Sequence, residues 1–468
     1  KKEGAQETIH YIQQIDPLDY WSAAEASLSA SQGASFLKAG TNHNSKGIIA
    51  IQELLEVVNN YMTIGATEDA LTLLNSAISL GEPYASYPLL YYYKAYNLLK
   101  SKNSIEFQTC LDKARSLSPL NNYPFRIEEI ALFKTLLQKR PDDALLHYHL
   151  GNLLYFLGQK ESGLEHWLHA TETDPSFAIA ARNVGFGYGC LNDLEKSIKY
   201  YDRAINANPN DPLLLTESDK IYEQANIPTD QRLKRLESHL KTVMKHDDAV
   251  MRLLTLYNAE SKYDKSIKIL NTRHFHLWEG GGQVHDIYAD SHILKGMQFL
   301  KRKQYKEAIR EFDLANQYPS NLEVAPSPNG GYEAKIYYLS GIAYEAMKQT
   351  DKAKICFEKS ADTHFRSHLT DLNYYKIKSL RKLNRNGEAD VALSDMQKTL
   401  ERILRNPTDS YAKFGEANQN VQQSNISYYS GLIHLLQNNP SAAKNDFTQA
   451  LQLYPGNIWA QLMNKDIH

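Results

Sequence analysis

The sequence predicts an all-α fold, a right-handed superhelical solenoid of about ten antiparallel helix pairs, and three observations carry that prediction. Landmark residues recur at one spacing: Gly151 and Gly185, Trp167 and Tyr201, Ala170 and Ala204, Pro175 and Pro209 each lie 34 residues apart. The residue types are those that two packed helices need. Small residues let antiparallel helices approach closely, an aromatic ring plugs the gap to the next pair, and proline ends the second helix. One pair cannot bury its apolar face alone, whereas stacked copies can, and the same ruler finds further copies along the chain.

The clearest copies are ALLHYHLGNLLYFLGQKESGLEHWLHATETDPSF from Ala144 and AIAARNVGFGYGCLNDLEKSIKYYDRAINANPND from Ala178. Upstream, degenerate copies start near residue 51 (Tyr61, Ala70, Ala77) and near 88 (Ala95, Ala114, Pro119), and a single extra helix is expected at 125–141. Downstream, weak copies start near 212, 247 (Tyr257, Ser266) and 370 (Ala389). Stronger ones are marked by Gly296, Ala308, Phe312 and Ala315, by Gly341, Tyr344, Ala353 and Phe357, and by Gly431, Ala443, Phe447, Ala450 and Pro455. Three regions follow: degenerate repeats over 1–143, the best copies plus one degenerate copy over 144–246, and repeats with inserted loops at 273–288 and 406–425 over 247–468. Insertions in solenoids map to loops on one face, which is often the working face.

Charge is nearly balanced, with 52 Lys+Arg against 54 Asp+Glu, so no basic field holds nucleic acid or an anionic membrane surface. No apolar run is long enough to span a bilayer and KKEGAQETIH has no signal-peptide core, so the chain reads as soluble, cytoplasmic ahead of periplasmic. It opens on Lys1 with a helical pattern under way by residue 6, as expected of part of something longer. Cys110, Cys190 and Cys356 are far apart and form neither a disulfide framework nor a CxxC site, so buried thiols are expected.

The two clearest copies, through Gly151, Trp167, Ala170 and Pro175 and their counterparts 34 residues on, resemble the tetratricopeptide family, which implies a groove lined by the first helix of each pair at repeat positions 2, 5, 6, 9, 12 and 13. In the two best copies those positions hold Leu145, Tyr148, His149, Asn152, Tyr155 and Phe156, then Ile179, Arg182, Asn183, Phe186, Gly189 and Cys190. Aromatic faces with a few hydrogen-bonding edges suit an extended peptide or a sugar ring. The resemblance implies a carboxylate clamp of Lys or Arg plus Asn in some members; Arg182 and Asn183 match one rung of it, but His149 and Glu217 stand at the neighbouring Asn positions, so the clamp is incomplete. Tyrosine is abundant, with runs at Tyr91 to Tyr93, Tyr337 to Tyr338, Tyr374 to Tyr375 and Tyr428 to Tyr429, and in each run one ring is expected in the core and another at the groove.

The stretch RHFHLWEGGGQVHD interrupts the helical pattern. His274, His276, Glu279, His285, Asp286, Asp290 and His292 crowd it with groups able to bind a transition metal. No HExxH spacing fixes two ligands on one helical face, so no metal is assigned. The glycines precede no Gly-Lys-Ser/Thr, which removes a phosphate loop, and no nucleophile elbow or activated cysteine is present. No cofactor is implied and the chain alone reads as non-catalytic. Trp278, Glu279, Gly280 and Gly281 are read as a loop presenting Trp and Glu to a neighbour, with glycine allowing the turn.

The repeat resembles the tetratricopeptide family: Gly151, Leu154, Gly163, Trp167, Ala170 and Pro175 fill its slots, as do Gly185, Tyr188, Ser197, Tyr201, Ala204 and Pro209. DPLDYW, YPFRIEEI, HYHLGNLLY and the Arg273 to Gly281 phrase also resemble the C-terminal helical region of large bacterial proteins with an N-terminal galactose-mutarotase-like domain of unknown function. That resemblance implies a scaffold attached to a carbohydrate-related module. The partners then expected are a protein or the chain's own upstream domain, with carbohydrate beside them, and neither nucleic acid nor membrane insertion. The alternatives are residues contributed to a sugar site that an upstream β-sandwich completes, and a freestanding peptide-binding adaptor.

Overall fold

Ten helix pairs follow one another in the computed structural model, which describes residues 2–17, 19–30, 37, 48–101, 104–120, 122–276, 283–326, 331–364, 369–405 and 419–466. Packing divides the chain into two units, Lys1–Ala207 and Asn208–His468. In unit 1, α1 (Lys2–Ile15) and α2 (Tyr20–Ser29) precede the pairs α3 (Ile48–Thr63) with α4 (Thr67–Ser79) and α5 (Pro88–Lys100) with α6 (Ser104–Arg115). The lone helix α7 (Glu128–Lys139) follows, then the pairs α8 (Ala144–Phe156) with α9 (Lys160–Thr173) and α10 (Ala178–Cys190) with α11 (Leu194–Ala207).

Unit 2 starts with α12 (Pro212–Gln224), α13 (Thr229–Ser238) and the single turn α14 (Leu240–Val243), then pairs α15 (Asp247–Ala259) with α16 (Tyr263–Thr272) and α17 (Gln283–Lys301) with α18 (Tyr305–Ala315). The pairs α19 (Glu333–Ala346) with α20 (Thr350–Ala361), α21 (Asp371–Lys382) with α22 (Asn386–Arg405) and α23 (Gln419–Leu436) with α24 (Pro440–Leu453) lead to a last helix, α25 (Ile458–Asp466). Helices α17 and α23 begin inside stretches that read from the sequence as loops. Val284, His285 and Tyr288 are buried, which ties the start of α17 to the core.

One contact builds each well-formed pair. A Cβ on Gly151 would stand 2.5 Å from the Trp167 ring, on Gly185 2.8 Å from Tyr201, on Gly341 2.6 Å from Phe357 and on Gly431 2.5 Å from Phe447. Gly296 sits beneath Phe312 in the same way. Glycine inside a helix costs about 1 kcal/mol relative to alanine, so its use here reflects the ring that occupies its space. Ala170, Ala204, Ala308, Ala353, Ala443 and Ala450 are buried where the second helix crosses.

The turn inside nine of the pairs is equally regular. Gly65, Gly158, Asn192, Asn226, Ser261, Lys303, Lys348, Asn384 and Asn438 all take positive φ at the fifteenth repeat position. Each turns the chain through the left-handed region and ends the first helix. At the other ends, Asp143 accepts from the backbone N–H of Leu145 and Leu146, and Asp211 from that of Leu213 with Pro212 in the first turn.

Cys110 is buried, but Cys190 is exposed at the end of α10, and Cys356 is half-buried. The tyrosine runs also pack deeper than expected: Tyr91, Tyr92 and Tyr93 are all buried, as are both Tyr374 and Tyr375. No helix among the described residues is long and apolar enough to cross a membrane.

Replacing Gly151 by alanine forces the Trp167 ring out of its seat, and overpacking of this kind costs about 1–3 kcal/mol. A Cβ on Gly387, in the first turn of α22, meets nothing within 4 Å. Gly387→Ala is therefore expected to leave the denaturation midpoint unchanged or slightly raised, whereas Gly151→Ala lowers it; urea titrations of both variants against wild type make the comparison.

Candidate functional site

Six of the groove residues come together on the first-helix face of unit 1. The Asn152 side-chain carbonyl accepts from Trp167 Nε1 at 2.9 Å and from Asn183 Nδ2 at 3.0 Å, which joins α8 to α10. Arg182 donates to Asn183 Oδ1 at 3.1 Å and lies 5.7 Å from the centre of the Phe186 ring. Tyr148 packs 5.1 Å from Phe177; burial raises its phenol pKa, opposed by a hydrogen bond from Asn152 and by the Arg182 charge. Phe186 is exposed, with its ring 6.0 Å from Tyr155, itself stacked on Trp167. The row is an amide pair flanked by a guanidinium and an accessible ring.

His149 stands apart from that row. It is fully buried, receives a hydrogen bond from the Asn122 amide at 2.8 Å and stacks on Phe133 at 6.2 Å. Burial pushes its pKa down to about 3, so the ring is neutral and belongs to the core. Trp278, Glu279, Gly280 and Gly281 lie outside the described residues.

The metal-capable crowd around residue 280 is dispersed. His285 reaches the Gln317 carbonyl at 3.0 Å and stacks on Tyr318 at 3.9 Å, while His292 Nδ1 meets Glu311 at 2.6 Å. His274 and His276 are exposed and stay together, beside Glu323.

Unit 2 holds a charged cluster that motif reading missed. Asp290, Lys335 and Asp371 occupy the second position of three successive repeats, starting at 289, 334 and 370. The Lys335 side chain is fully buried, pairs with Asp371 and places Nζ 3.4 Å from the centre of the Trp459 ring. Trp459 also hydrogen-bonds Asp290, and the Tyr332 hydroxyl donates to Asp286 at 3.0 Å. Burial, which outweighs the nearby Lys335 charge, raises the Asp290 pKa to about 7, with Asp371 and Asp286 adding to the shift. Asp290 Oδ1 and the hydroxyls of Tyr375 and Tyr428 are enclosed and make no hydrogen bond among the described residues.

A second buried network lies at the start of the unit. Arg232 grips Asp219 with Nε and one terminal nitrogen at 2.9 and 2.8 Å, and Arg252 Nε reaches the same carboxylate at 2.6 Å. Both guanidinium groups also meet Glu223, which accepts from the Tyr454 hydroxyl at 2.9 Å. The segment after α24 thus returns to α12 through Tyr454, to α17 and α19 through Trp459, and to α17 through the 2.6 Å pair of Lys301 with Asp466.

The Asp290 shift has a definite sign. A carboxyl whose folded pKa is raised from 3.8 to about 7 contributes stability that is complete below pH 3.8 and is lost as pH rises through 7. Asp290→Asn keeps an acceptor for Trp459 without the charge. Above pH 7 it should be more stable than wild type, and the gap should close toward pH 4; denaturation midpoints across that range show whether the two curves converge.

A tetratricopeptide repeat family model matches residues 188–211 and 334–362. Among solved structures, the chain is similar to YrrB, described as a TPR protein with an unusual peptide-binding site, at 16% identity over 46% of this chain and 97% of that one, TM-score 0.31. It is similar to a thermophilic TPR protein of Thermus thermophilus at 18% identity, covering 44% of this chain and 97% of that one, TM-score 0.25. MamA from Desulfovibrio magneticus matches at 17% identity over 42% and 93%, TM-score 0.23. Ten helix pairs among the described residues, five of them built on a seated ring, make this an all-helical repeat fold, and the tetratricopeptide model matches it over residues 188–211 and 334–362 alone.

Proposed function

We propose that this chain is a non-catalytic interaction scaffold that holds an extended peptide segment on the first-helix face of unit 1. The supporting observation is the bonded pair Asn152 and Asn183, which spans two successive repeats with Arg182 and Phe186 beside it. The internally bonded amides fix the spacing of the row, while Phe186 and Tyr155 offer rings to the side chains of an extended segment. Arg182 adds a cation for an acidic residue or a terminal carboxylate. Binding energy in such interfaces concentrates in a few aromatic and arginine anchors, here Phe186 and Arg182.

A carbohydrate-related role is the second reading. In it the chain is the C-terminal part of a larger bacterial protein, Trp278 and Glu279 with Gly280 and Gly281 meet an upstream β-sandwich, and the scaffold supplies residues to a sugar site. What favours it is the grouping of Asp286, Asp290, Tyr332 and Trp459, since carboxylates beside aromatic rings suit the polar edges and apolar faces of sugars.

Selection from a displayed peptide library followed by titration separates these readings. Arg182→Ala and Phe186→Ala are each expected to weaken a selected peptide at least tenfold, equivalent to about 1.4 kcal/mol, with Asp290→Asn neutral. A library yielding no binder, alongside retention on an oligosaccharide matrix that Trp459→Ala abolishes, sinks the first reading in favour of the second.

A further inference from the structure

We propose that His274, His276 and Glu323 form a binding site for a divalent transition metal of the zinc class. The argument starts from the backbone. Residue Arg273 is extended, and the chain beyond it runs alongside the turn at Ser320–Leu322, where the Phe275 N–H donates to the Asn321 carbonyl at 2.9 Å. Alternation along an extended segment sends residues two apart to one side. Phe275 is accordingly buried completely, and His274 and His276 both face out, their ring centres 4.7 Å apart.

Glu323 completes the set from the other segment. It follows the turn with φ of 51°, a left-handed conformation that non-glycine residues seldom adopt. Its Oε1 lies 2.7 Å from His274 Nε2 and 3.8 Å from His276 Nδ1, and one ligand atom from each of the three side chains falls within 4.8 Å of the others. Tetrahedral zinc with bonds near 2.0 Å sets its ligand atoms roughly 3.3 Å apart, a value that the two measured separations bracket.

Both segments are held independently of any ion. The Asn321 amide donates to the carbonyls of Leu270 and Arg273 at 2.7 Å each. Asp247 takes Arg273 Nε at 2.7 Å through one oxygen and the His276 N–H at 3.0 Å through the other. Supports of this kind hold ligands in place for a metal. Two imidazoles and one carboxylate select zinc-like ions over magnesium or calcium, and three protein ligands leave a fourth position for water or an incoming donor.

The side chains are 52%, 78% and 41% exposed, so substitutions do not open the core. Calorimetric titration of the chelator-treated full chain with Zn2+, and visible spectra with Co2+, test the site. The expected result is saturation at one equivalent, with His274→Ala, His276→Ala and Glu323→Gln each weakening binding at least about tenfold and His166→Ala leaving it unchanged. His166 serves as the control because it packs with His147, which also meets His169, in a separate histidine cluster. Lack of saturation at one equivalent, indifference to the three substitutions, or loss of binding in His166→Ala alone would each overturn the proposal.

Discussion

An aromatic ring seated on a helical glycine is the contact on which the repeats depend, because it sets how closely the two helices of a pair approach. At Gly151, Gly185, Gly296, Gly341 and Gly431 the space of a missing side chain is taken by the ring sixteen residues later. Close approach brings the buried alanines of the second helix into contact, and the left-handed residue at the fifteenth position is the turn that such a short span requires. Ridge-and-groove packing then repeats from pair to pair, so the outward residues of the first helices fall into rows. The candidate sites are consequences of those rows.

Rows also explain how a lysine comes to be buried. Asp290, Lys335 and Asp371 share one repeat position, so stacking brings alternating charges side by side without any local motif. A buried charge is tolerated when paired, and removing one partner costs about 3–5 kcal/mol. Lys335 has Asp371 as its counter-ion and the Trp459 ring as its cover. Asp219 with Arg232 and Arg252 solves the same problem with bidentate hydrogen bonds.

The fold was legible because its signals are short-range in type and regular in spacing. Gly, aromatic, Ala and Pro landmarks located nine of the ten pairs, the spacing alone located the one near 212, and the extra helix α7 falls within 125–141, where the period breaks. The left-handed turns were less legible: Gly158 and Asn192 announce themselves, but Lys303 and Lys348 adopt the same conformation because their position demands it. His149 shows the limit at the site. Its repeat position is a groove position, yet Asn122, from the segment before α7, covers it and gives it a hydrogen bond. The charged row at position two was present in the sequence, and applying the ruler to that position as well as to the landmarks finds it. Glu323 was beyond reach, since only the pairing of 273–276 with the 320–322 turn puts it beside the two histidines.

The two units use the same kind of face differently. In unit 2 the last helix and the segment before it engage that face: Trp459 closes over Lys335 and Asp290, and Tyr454 bonds Glu223 beside Arg232 and Arg252. A face engaged by its own chain has its polar groups paired internally, and a partner must displace those contacts before it binds. In unit 1 the bonded pair Asn152 and Asn183 fixes the row, while Phe186 remains exposed with Arg182 across it. Rigid polar groups beside an accessible ring lose little entropy on binding, which lowers the cost of association. On these grounds unit 1 is the surface proposed for an external segment, and unit 2 reads as a unit stabilised by the return of its last described helix.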